Sequence, residues 1–379
     1  MLRMTNPPHS RFPFRAEHIG SLVRPTSLVQ ARQQFEAGHI DKSALRAAED
    51  EAIRQVVKLQ EEVGLKVVTD GEFRRGTYSD SFTTQGIRGV SVQLTESEGW
   101  KSSSTHGNRM ARRIPKVVER IEWSGDQHAV DFAFLKSLTD RVGKFTLPGP
   151  GYIHYRAGRE HISRDIYPDL DAFWSDLVHA YHLELRALAE AGCTYVQIDE
   201  TSLVKFGDPR VRALLAARGD DWQELLRIYI DAVNAVIAGA PAGMTIGVHV
   251  CRSQDPSWQA AVGYDPIAAA MFRDIRSDIY FLEYDDPRSG SFEPLRLLPE
   301  GKKVVLGLVH SRKPELESLA FLRQRIDEAC RYAKLDQLAI SPQCGFATGV
   351  FLGDDSAIAA QRAKLARVVE TSREVWGQA

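Results

Sequence analysis

The chain has 379 residues, of which 43% are hydrophobic and 26% are charged, and its formal net charge at pH 7 is −2. This composition is ordinary for a globular protein, and the near-neutral charge argues against nucleic acid or an anionic membrane surface as a partner. The 4 cysteines are too few for a disulfide scaffold, and no apolar run reaches the roughly 18 residues needed to span a membrane. We therefore expect a cytoplasmic protein that binds neither nucleic acid nor a membrane.

The first half of the chain carries three strand-like segments separated by helical ones. Residues 16–21 (AEHIGS) and 66–72 (KVVTDGE) predict strands on either side of a helix over 43–64, where apolar residues recur at helical spacing. Residues 144–150 (KFTLPGP) predict the third strand, and a helix over 170–192 follows it. This order indicates a sheet covered by helices.

From residue 190 onward the alternation of strand and helix is regular. Strands are predicted over 194–200, 245–251, 279–284, 303–310 and 337–341. Helices are predicted over 222–239, 265–276, 291–298, 314–333 and 355–376. Repeated strand–helix units indicate an α/β fold with a parallel sheet. Eight predicted strands in one chain favour a (β/α)8 barrel of the TIM type, with residues 1–379 as a single catalytic domain.

Residues 85–143 form an insertion between the second and third predicted strands. This segment is rich in polar and charged residues and lacks the strand–helix alternation of the remaining chain. A lid over the barrel, a hairpin and an arm between subunits all fit such a segment, and the sequence does not choose among them. The oligomeric state, including a homo-oligomer, is open for the same reason.

Reactive side chains collect at the ends of the predicted strands. Active sites of such barrels lie at the carboxyl ends of the strands, a rule that played no part in locating the strands. The polar residues at those ends are His18, Ser21, Asp70, Glu72, Asp199, Glu200, His249, Cys251, Glu283, His310 and Cys344. The sequence therefore predicts an active site at this rim.

Four of these residues form a metal-binding pattern. His249 and Cys251 in IGVHVCRS lie two positions apart on a strand, so their side chains share a face. Glu283 ends the next strand, and Cys344 follows the last one in SPQCG. A nitrogen, two sulfurs and a carboxylate suit Zn²⁺. With three anionic ligands, such a zinc is a poor source of hydroxide and favours activation of a substrate thiol, so the chemistry predicted is alkyl transfer to sulfur.

The motifs HIGSLVRP, TDGEF, QIDET, HVC, LVHSR and PQCG, which span most of the chain, also carry a family resemblance. The chain resembles the catalytic barrel of cobalamin-independent methionine synthase, and more closely the short, single-barrel relatives of that enzyme. The resemblance implies the zinc ligands His249, Cys251, Glu283 and Cys344. It also implies homocysteine as the acceptor thiol and a second substrate that donates a methyl group.

The same resemblance implies roles for the other rim residues. Ile19 and Ser21 match the motif that contacts the homocysteine carboxylate, and Glu72 and Asp199 match the acids that hold its amino group. His310 matches the acid that protonates the leaving group. Together with the zinc ligands, these residues make up the predicted site of a methyltransferase.

Two departures from the family concern the methyl donor. The full-length enzymes carry a second, N-terminal barrel that helps to bind folate, and 379 residues cannot include it. Where they have a tryptophan-containing WSF-type segment beside the pterin, this chain has GPGYIHYRAGRE at 149–160. We expect His154, Tyr155 and Arg156 to line the donor side of the pocket.

The sequence favours a zinc-dependent transfer of a methyl group from 5-methyltetrahydrofolate, or a related donor, to homocysteine. Alkyl transfer to another thiol, of the epoxide:coenzyme M type, and transfer from a corrinoid donor are the alternatives. A thiol without an amino group would have no use for Glu72 and Asp199, which favours an amino-acid acceptor. A structural zinc site without turnover is a third reading, although ligands dispersed between residues 249 and 344 are untypical of structural zinc. A metal-free decarboxylase would leave His249 and both cysteines unexplained.

Overall fold

The computed structural model describes residues 14–79, 81–95, 112–252, 263–347 and 354–379. The first 13 residues and residues 96–111 of the predicted insertion lie outside the described part of the chain. Within the described ranges, no helix is long and apolar enough to cross a membrane. The cytoplasmic location stays a prediction.

Parallel strands form the centre of the fold. The strands of the described chain are β1 Val67–Val68, β2 Ile87–Thr95, β3 Arg112–Trp123, β4 Val142–Gly143, β5 Phe145–Pro148, β6 Tyr195–Glu200, β7 Thr245–Val250, β8 Ile279–Glu283, β9 Lys303–Val309 and β10 Leu338–Pro342. Strands β5 to β10 pair in chain order, and β4 pairs with β1. All these pairings are parallel, as expected for strands joined by helices.

Backbone hydrogen bonds connect the two ends of the sheet. Ala16 forms a parallel bridge with Ile340 of β10, and the Leu22 amide donates to the Gly71 carbonyl at 3.1 Å. Lys144, between β4 and β5, donates its amide to the carbonyl of Val68 at 2.9 Å. The segment before residue 22 therefore lies between β10 and β1. The predicted (β/α)8 barrel of the TIM type is confirmed.

Helices cover the outside of the barrel. The helices of the described chain are α1 Thr26–Glu36, α2 Lys42–Val63, α3 Gln127–Ser137, α4 Gly151–Ala157, α5 Leu170–Glu190, α6 Pro209–Ala217, α7 Trp222–Ala238, α8 Ala268–Asp274, α9 Leu319–Ala329 and α10 Asp355–Trp376. Local signals set their ends: the Asp41 side chain accepts from the Ala44 amide before α2, and Gly64, with φ of 98°, ends that helix. Four of the predicted helices, α2, α5, α7 and α10, begin within one residue of their expected start.

One predicted helix and one predicted strand are longer than the elements that form in the structure. The helix expected over 314–333 begins only at Leu319, because Ser318 caps it through the Phe321 amide. The side chain of Glu317 instead accepts from the backbone amide of His310, which keeps the preceding segment out of the helix. The strand expected over 66–72 ends at Val68, because Gly71 and Glu72 adopt positive φ and turn the chain out of the sheet.

Two further predicted helices are also shorter than expected. The helix expected over 265–276 forms only as α8, and residues 291–298 form a short 3₁₀ segment, Glu293–Leu297, with Pro294 in its first turn. The first predicted strand, 16–21, is reduced to the bridge at Ala16.

The described part of the insertion is a hairpin followed by a helix. β2 and β3 pair antiparallel, and α3 follows. Trp123 at the end of β3 donates its indole N–H to Glu184 of α5 at 2.7 Å, which fixes the hairpin to the helical layer. A role as a lid or dimer arm stays a prediction.

The sequence analysis did not predict four of the described helices, namely α1, α3, α4 and α6.

The barrel interior holds a small apolar cluster of its own. Its buried members are Ile19, Val67, Tyr195, Ile279, Phe281, Val305 and Ala339. The alternate residues of the strands, such as Val248 and Tyr280, belong instead to the larger core between sheet and helices. Strand side chains alternate between faces, so this division fixes which residues point into the barrel and towards its rim.

Candidate metal centre and substrate site

Four donor side chains meet at the carboxyl end of the barrel. His249 lies in β7, Cys251 directly follows that strand, Glu283 ends β8 and Cys344 follows β10. One ligand atom from each lies within 4.8 Å of all the others, and all four residues are buried. The structure therefore brings together all four predicted ligands in a cluster compatible with a metal ion.

The distances within this cluster fit a tetrahedral zinc site. Two Zn–S bonds of about 2.3 Å at the tetrahedral angle place the sulfurs about 3.8 Å apart. The Cys251 and Cys344 sulfurs are 3.8 Å apart. Nitrogen and oxygen ligands at about 2.0–2.1 Å require a separation near 3.4 Å. His249 Nε2 and Glu283 Oε1 are 3.6 Å apart.

A second carboxylate orients the imidazole of His249. Nδ1 of this ring lies 3.1 Å from Asp199 Oδ1, while Nε2 has no hydrogen-bond partner within the described ranges. A ring that donates Nδ1–H to a carboxylate presents the lone pair of Nε2 to a metal, which is the usual arrangement around metal-bound histidine. The orphaned Nε2 atom and its neighbours thus fit a zinc ion.

The electrostatics of the cluster indicate a deficit of positive charge. Burial alone would lower the pKa of His249, but the carboxylates of Asp199 and Glu283 and the thiol of Cys251 raise it to about 10. The neighbouring thiol of Cys344 and burial raise the pKa of Cys251 well above its ordinary value. A buried cation would reverse this effect on the thiols, because it favours their ionised form.

The segment around Gly20 lies between the metal cluster and Glu72. A Cβ atom at Gly20, where φ is 141°, would lie 3.2 Å from Glu72 Oε1 and 2.7 Å from a methyl group of Thr146. A Cβ at Gly345 would clash with the hydroxyl of Ser21. The predicted carboxylate-binding segment is therefore in contact with Glu72 and with the residue that follows Cys344.

Glu72 is held in an unusual conformation. It is the one non-glycine residue of the described chain with positive φ, 61°. Its Oε1 accepts from the Thr146 hydroxyl at 2.7 Å and lies 3.4 Å from Arg75 Nη1. Burial raises the pKa of Glu72, Arg75 opposes this shift, and the negative charge of Asp199 adds to it. Two carboxylates that repel each other in a buried site leave a place for a cation such as an ammonium group.

His310 lies at the same rim, facing Asp285. Its Nδ1 accepts from the backbone amides of Arg312 and Lys313, at 3.1 and 3.3 Å, and its Nε2 is 3.6 Å from Asp285 Oδ2. Burial and the positive charges of Lys313 and Lys364 lower the pKa of His310 to about 4. The free ring is therefore neutral near pH 7, with its proton on Nε2.

His154 and Tyr155 contact aromatic residues outside the cluster of donors. His154 Nδ1 lies 2.9 Å from the hydroxyl of Tyr229 on α7, and its ring packs against Trp174 on α5. Tyr155 packs edge-on against Phe206. Both rings are buried in the layer between barrel and helices. Their described contacts are those of packing residues, so the predicted contact with a methyl donor is not supported by them.

Arg156, the third residue of that prediction, lies nearer to the rim. Its guanidinium is 5.7 Å from the ring centroid of Tyr152, and its other neighbours include the hydroxyl of Tyr78. The Tyr78 hydroxyl is 3.3 Å from that of Thr201, which follows β6, and it is close enough to Cys251 for their charges to interact. Arg156 is therefore the member of the segment best placed to meet a second substrate.

Several residues that contact the site were missed by the sequence analysis. They are Arg75, Lys144, Thr146, Gln197 and Asp285. One of them carried a readable signal: Gln197 lies two positions before Asp199 in QIDET, so both side chains share a face of β6. The others contact residues distant in sequence, which no local pattern reveals.

Comparisons with known proteins show the family to which the chain is similar. A family model described as "Cobalamin-independent synthase, Catalytic domain" matches residues 14–367. The chain is 36% identical over 370 residues to the protein YxjH of Bacillus subtilis, with 96% of this chain and 95% of that protein covered. A crystal structure from Listeria monocytogenes, assigned to the vitamin-B12-independent methionine synthases, is 32% identical with a TM-score of 0.75, covering 97% of this chain and 99% of that one. A B12-independent methionine synthase from Shewanella sp. W3-18-1, solved in complex with selenomethionine, is 20% identical with a TM-score of 0.73, covering 96% and 97%.

Proposed function

The chain belongs to the family of cobalamin-independent methionine synthase catalytic domains, and on this premise we propose that it transfers a methyl group to the thiol of homocysteine, giving methionine. Membership of this family makes the chain an S-methyltransferase. The proposed donor is 5-methyltetrahydrofolate or a related methyl compound. The observation that carries the proposal is the four-donor cluster beside two carboxylates that suit an amino-acid ammonium group.

We propose zinc as the metal, held by His249, Cys251, Glu283 and Cys344. The donor set of one nitrogen, two sulfurs and one carboxylate oxygen supports this choice over magnesium or calcium, which prefer oxygen ligands. When bound, zinc supplies a site at which a substrate thiol loses its proton near neutral pH and stays nucleophilic.

The remaining residues would bind the amino-acid part of the acceptor. Glu72 uses Oε1 for its contacts with Thr146 and Arg75, and Asp199 uses Oδ1 for His249 and Gln197. We assign the second oxygen of each carboxylate to the α-ammonium group. The backbone and hydroxyl between Ile19 and Ser21 would bind the α-carboxylate, which lies next to the ammonium in any α-amino acid.

The proposed reaction forms one bond and breaks one. The homocysteine sulfur attacks the methyl carbon, the new S–CH₃ bond forms, and the bond from that carbon to the donor nitrogen breaks. The nitrogen keeps the electron pair and must gain a proton, since a neutral amine leaves more readily than an amide-like anion. We assign this protonation to His310. Because the free ring is neutral near pH 7, it must first take up a proton from solvent, with Asp285 at 3.6 Å from Nε2 to stabilise the positive charge, and it then donates a proton to the leaving nitrogen. General acid catalysis is typically worth about 10²–10⁴-fold.

One observation bears on the identity of the methyl donor. Arg156 belongs to the segment 149–160, which stands in place of the family's tryptophan-containing segment beside the pterin, and Tyr78 is one of its neighbours. A corrinoid methyl donor, or another thiol acceptor of the coenzyme M type, is therefore the alternative to test. The carboxylates of Glu72 and Asp199 favour the amino-acid acceptor over a sulfonate thiol, because no cationic group of coenzyme M would balance them.

The test combines two thiols with several donors on one zinc-analysed sample. Homocysteine and coenzyme M are each offered with 5-methyltetrahydrofolate, its triglutamate form and methylcobalamin. We expect methionine to form from homocysteine, and zinc to be present at about one ion per chain. Turnover with coenzyme M but not with homocysteine would overturn the proposed acceptor, and full activity in metal-free protein would overturn the role of zinc.

A further inference from the structure

A buried lysine at the centre of the barrel has no place in the mechanism above. The side chain of Lys144 is fully buried, and its ammonium lies 3.2 Å from Glu17 Oε2. It also donates to Gln197 Oε1 at 2.9 Å and to the backbone carbonyl of His18. The rings of Tyr195 and Phe281 lie near the same charge. Burying a charge costs free energy, so a lysine that is buried here with three oxygen acceptors needs an explanation.

The amide of Gln197 is oriented by this lysine. An ammonium group only donates hydrogen bonds, so Oε1 of Gln197 must face Lys144. Nε2 then faces the other way, where it donates to the Ile19 carbonyl and to Asp199 Oδ1, both at 2.7 Å. The two N–H bonds and the oxygen of this amide are all used. A rotated amide would place its oxygen against the carbonyl of Ile19 and the carboxylate of Asp199, which is repulsive.

Lys144 and Gln197 together contact both halves of the proposed amino-acid site. Lys144 binds the His18 carbonyl and Gln197 binds the Ile19 carbonyl, which fixes the segment assigned to the substrate carboxylate. Gln197 also binds Asp199, which is assigned to the substrate ammonium. The two parts lie about 180 residues apart in the chain; Gln197 contacts both directly, and Lys144 contacts the first part and Gln197.

We propose that Lys144 and Gln197 act as one positioning unit that sets the spacing between the carboxylate-binding segment and Asp199, and thereby the affinity for the α-amino-acid group of the acceptor. The inference rests on the proposed function. Neither residue touches the substrate in this scheme. Loss of the unit should therefore weaken acceptor binding and leave the reacting atoms in place.

The experiment measures binding of L-methionine to the zinc-loaded protein by calorimetry, for wild type, Lys144→Met and Gln197→Met. Removing a hydrogen bond that involves a charged group typically weakens binding by roughly ten- to a hundredfold. We expect each variant to lose affinity for L-methionine in that range. In steady-state assays the KM for homocysteine should rise similarly, while kcat and the KM for the methyl donor change less than threefold, roughly the scatter expected of distant substitutions.

A merely structural role would give a different result. Partial unfolding lowers the active fraction, and hence kcat, but leaves the Kd for L-methionine and the KM for homocysteine of the folded fraction unchanged. Glu184→Gln is the matched control, because Glu184 is a buried carboxylate paired with His128 at 2.8 Å, away from the rim. We expect it to alter thermal stability without altering the affinity for L-methionine.

The double variant Lys144→Met/Gln197→Met tests whether the pair is one unit. If it is, the double variant binds L-methionine about as weakly as the weaker single variant; additive losses would show independent roles and overturn the proposal. Lys144→Met leaves Glu17 charged and unpaired, so a second variant, Lys144→Met/Glu17→Gln, removes both partners if the first fails to fold. Unchanged affinity in either folded variant overturns the inference alone. A wild-type protein that binds no L-methionine overturns the proposed function together with the inference.

Discussion

Two histidines in this protein are equally buried and electrostatically opposite. His249 and His154 each expose 2% of their surface. Carboxylates and a thiol around His249 raise its pKa to about 10, although burial opposes this, whereas burial and nearby Arg218 lower the pKa of His154 to about 4. Burial alone therefore does not decide the behaviour of a histidine. The acceptor groups that other strands bring to the ring decide its pKa.

The same contrast separates two regions of the molecule. The rim around His249 brings together carboxylates and thiols that have no apolar packing role, and this arrangement favours binding of a cation. The layer around His154 gathers the rings of Trp174 and Tyr229, and burial there disfavours the charged form of the imidazole. The surroundings of His249 suit chemistry, and those of His154 suit stability. In the sequence, both residues are simply a histidine in or beside a predicted strand.

The largest effect on this difference between the two regions is expected when a donor is removed from the rim. We expect Cys344→Ser to lose bound zinc and to lower turnover by on the order of a thousandfold or more, because the remaining donors no longer hold the metal. Metal analysis and initial rates on one sample would measure both effects. Cys193→Ser is the matched control, since this buried cysteine donates to the Tyr195 carbonyl and a serine can do the same. Full zinc content in Cys344→Ser would contradict the assignment of this ligand.

The next largest effect concerns His310, another histidine at the rim. We expect His310→Asn to lower kcat by about 10²–10⁴-fold with little change in the KM for homocysteine. The asparagine oxygen can still accept from the amides of Arg312 and Lys313, so the loop is retained while Nε2 is removed. His161→Asn, at a half-buried position, serves as the control. A kcat within a factor of about three of wild type would rule out general acid catalysis by His310.

A smaller effect is expected at the carboxylate that orients His249. Loss of such a partner typically lowers metal affinity by about 10–100-fold. We therefore expect Asp199→Asn to release zinc to a competing chelator at correspondingly lower chelator concentration. Glu184→Gln alters a second carboxylate–histidine pair, remote from the cluster, and should leave zinc affinity unchanged. Equal zinc affinity in wild type and Asp199→Asn would show that Asp199 does not support the metal site.

The smallest effect, and the one that sharpens the contrast, concerns the pH dependence of stability at His154. Its folded pKa of about 4 lies below the ordinary value of 6.5, so the unfolded chain binds a proton that the folded chain does not. Stability is therefore unaffected by this group above pH 6.5 and falls as the pH drops towards 4, by on the order of 3 kcal/mol in total. We expect His154→Phe to lose less stability than wild type between pH 7 and pH 4.5 in denaturant titrations. Parallel stability curves for the two proteins would contradict the neutral, packed state of this ring.

The sequence predicted the clustering of the four donors because each lies in or shortly after a strand whose side-chain alternation is easy to read. His249 and Cys251 share a face by spacing alone, and the barrel rule brings Glu283 and Cys344 to the same rim. The strands of the second half were predicted for the same reason. Helix starts that depend on a capping side chain were also predicted well, as at α2 and α10.

The sequence failed where a partner comes from far along the chain. Lys144 appears in a strand as an ordinary charged residue, and its ion pair with Glu17 spans 127 positions. The contacts of His154 with Tyr229 and of Tyr155 with Phe206 depend on elements whose faces cannot be read from the loop itself, and the place of both residues beside a methyl donor stays a prediction. The early end of the strand at Val68 depends on the positive φ of Glu72, which no local propensity favours.

The position of Cys344 has a consequence for how the protein matures. It is the last of the four donors in the chain, and it reaches the cluster only when β10 has joined the sheet next to Ala16, near the opposite end of the sequence. A chain that stops short of this strand lacks the fourth donor. In the proposed metal site, the complete donor set therefore forms only after residues 338–344 have joined the sheet beside Ala16.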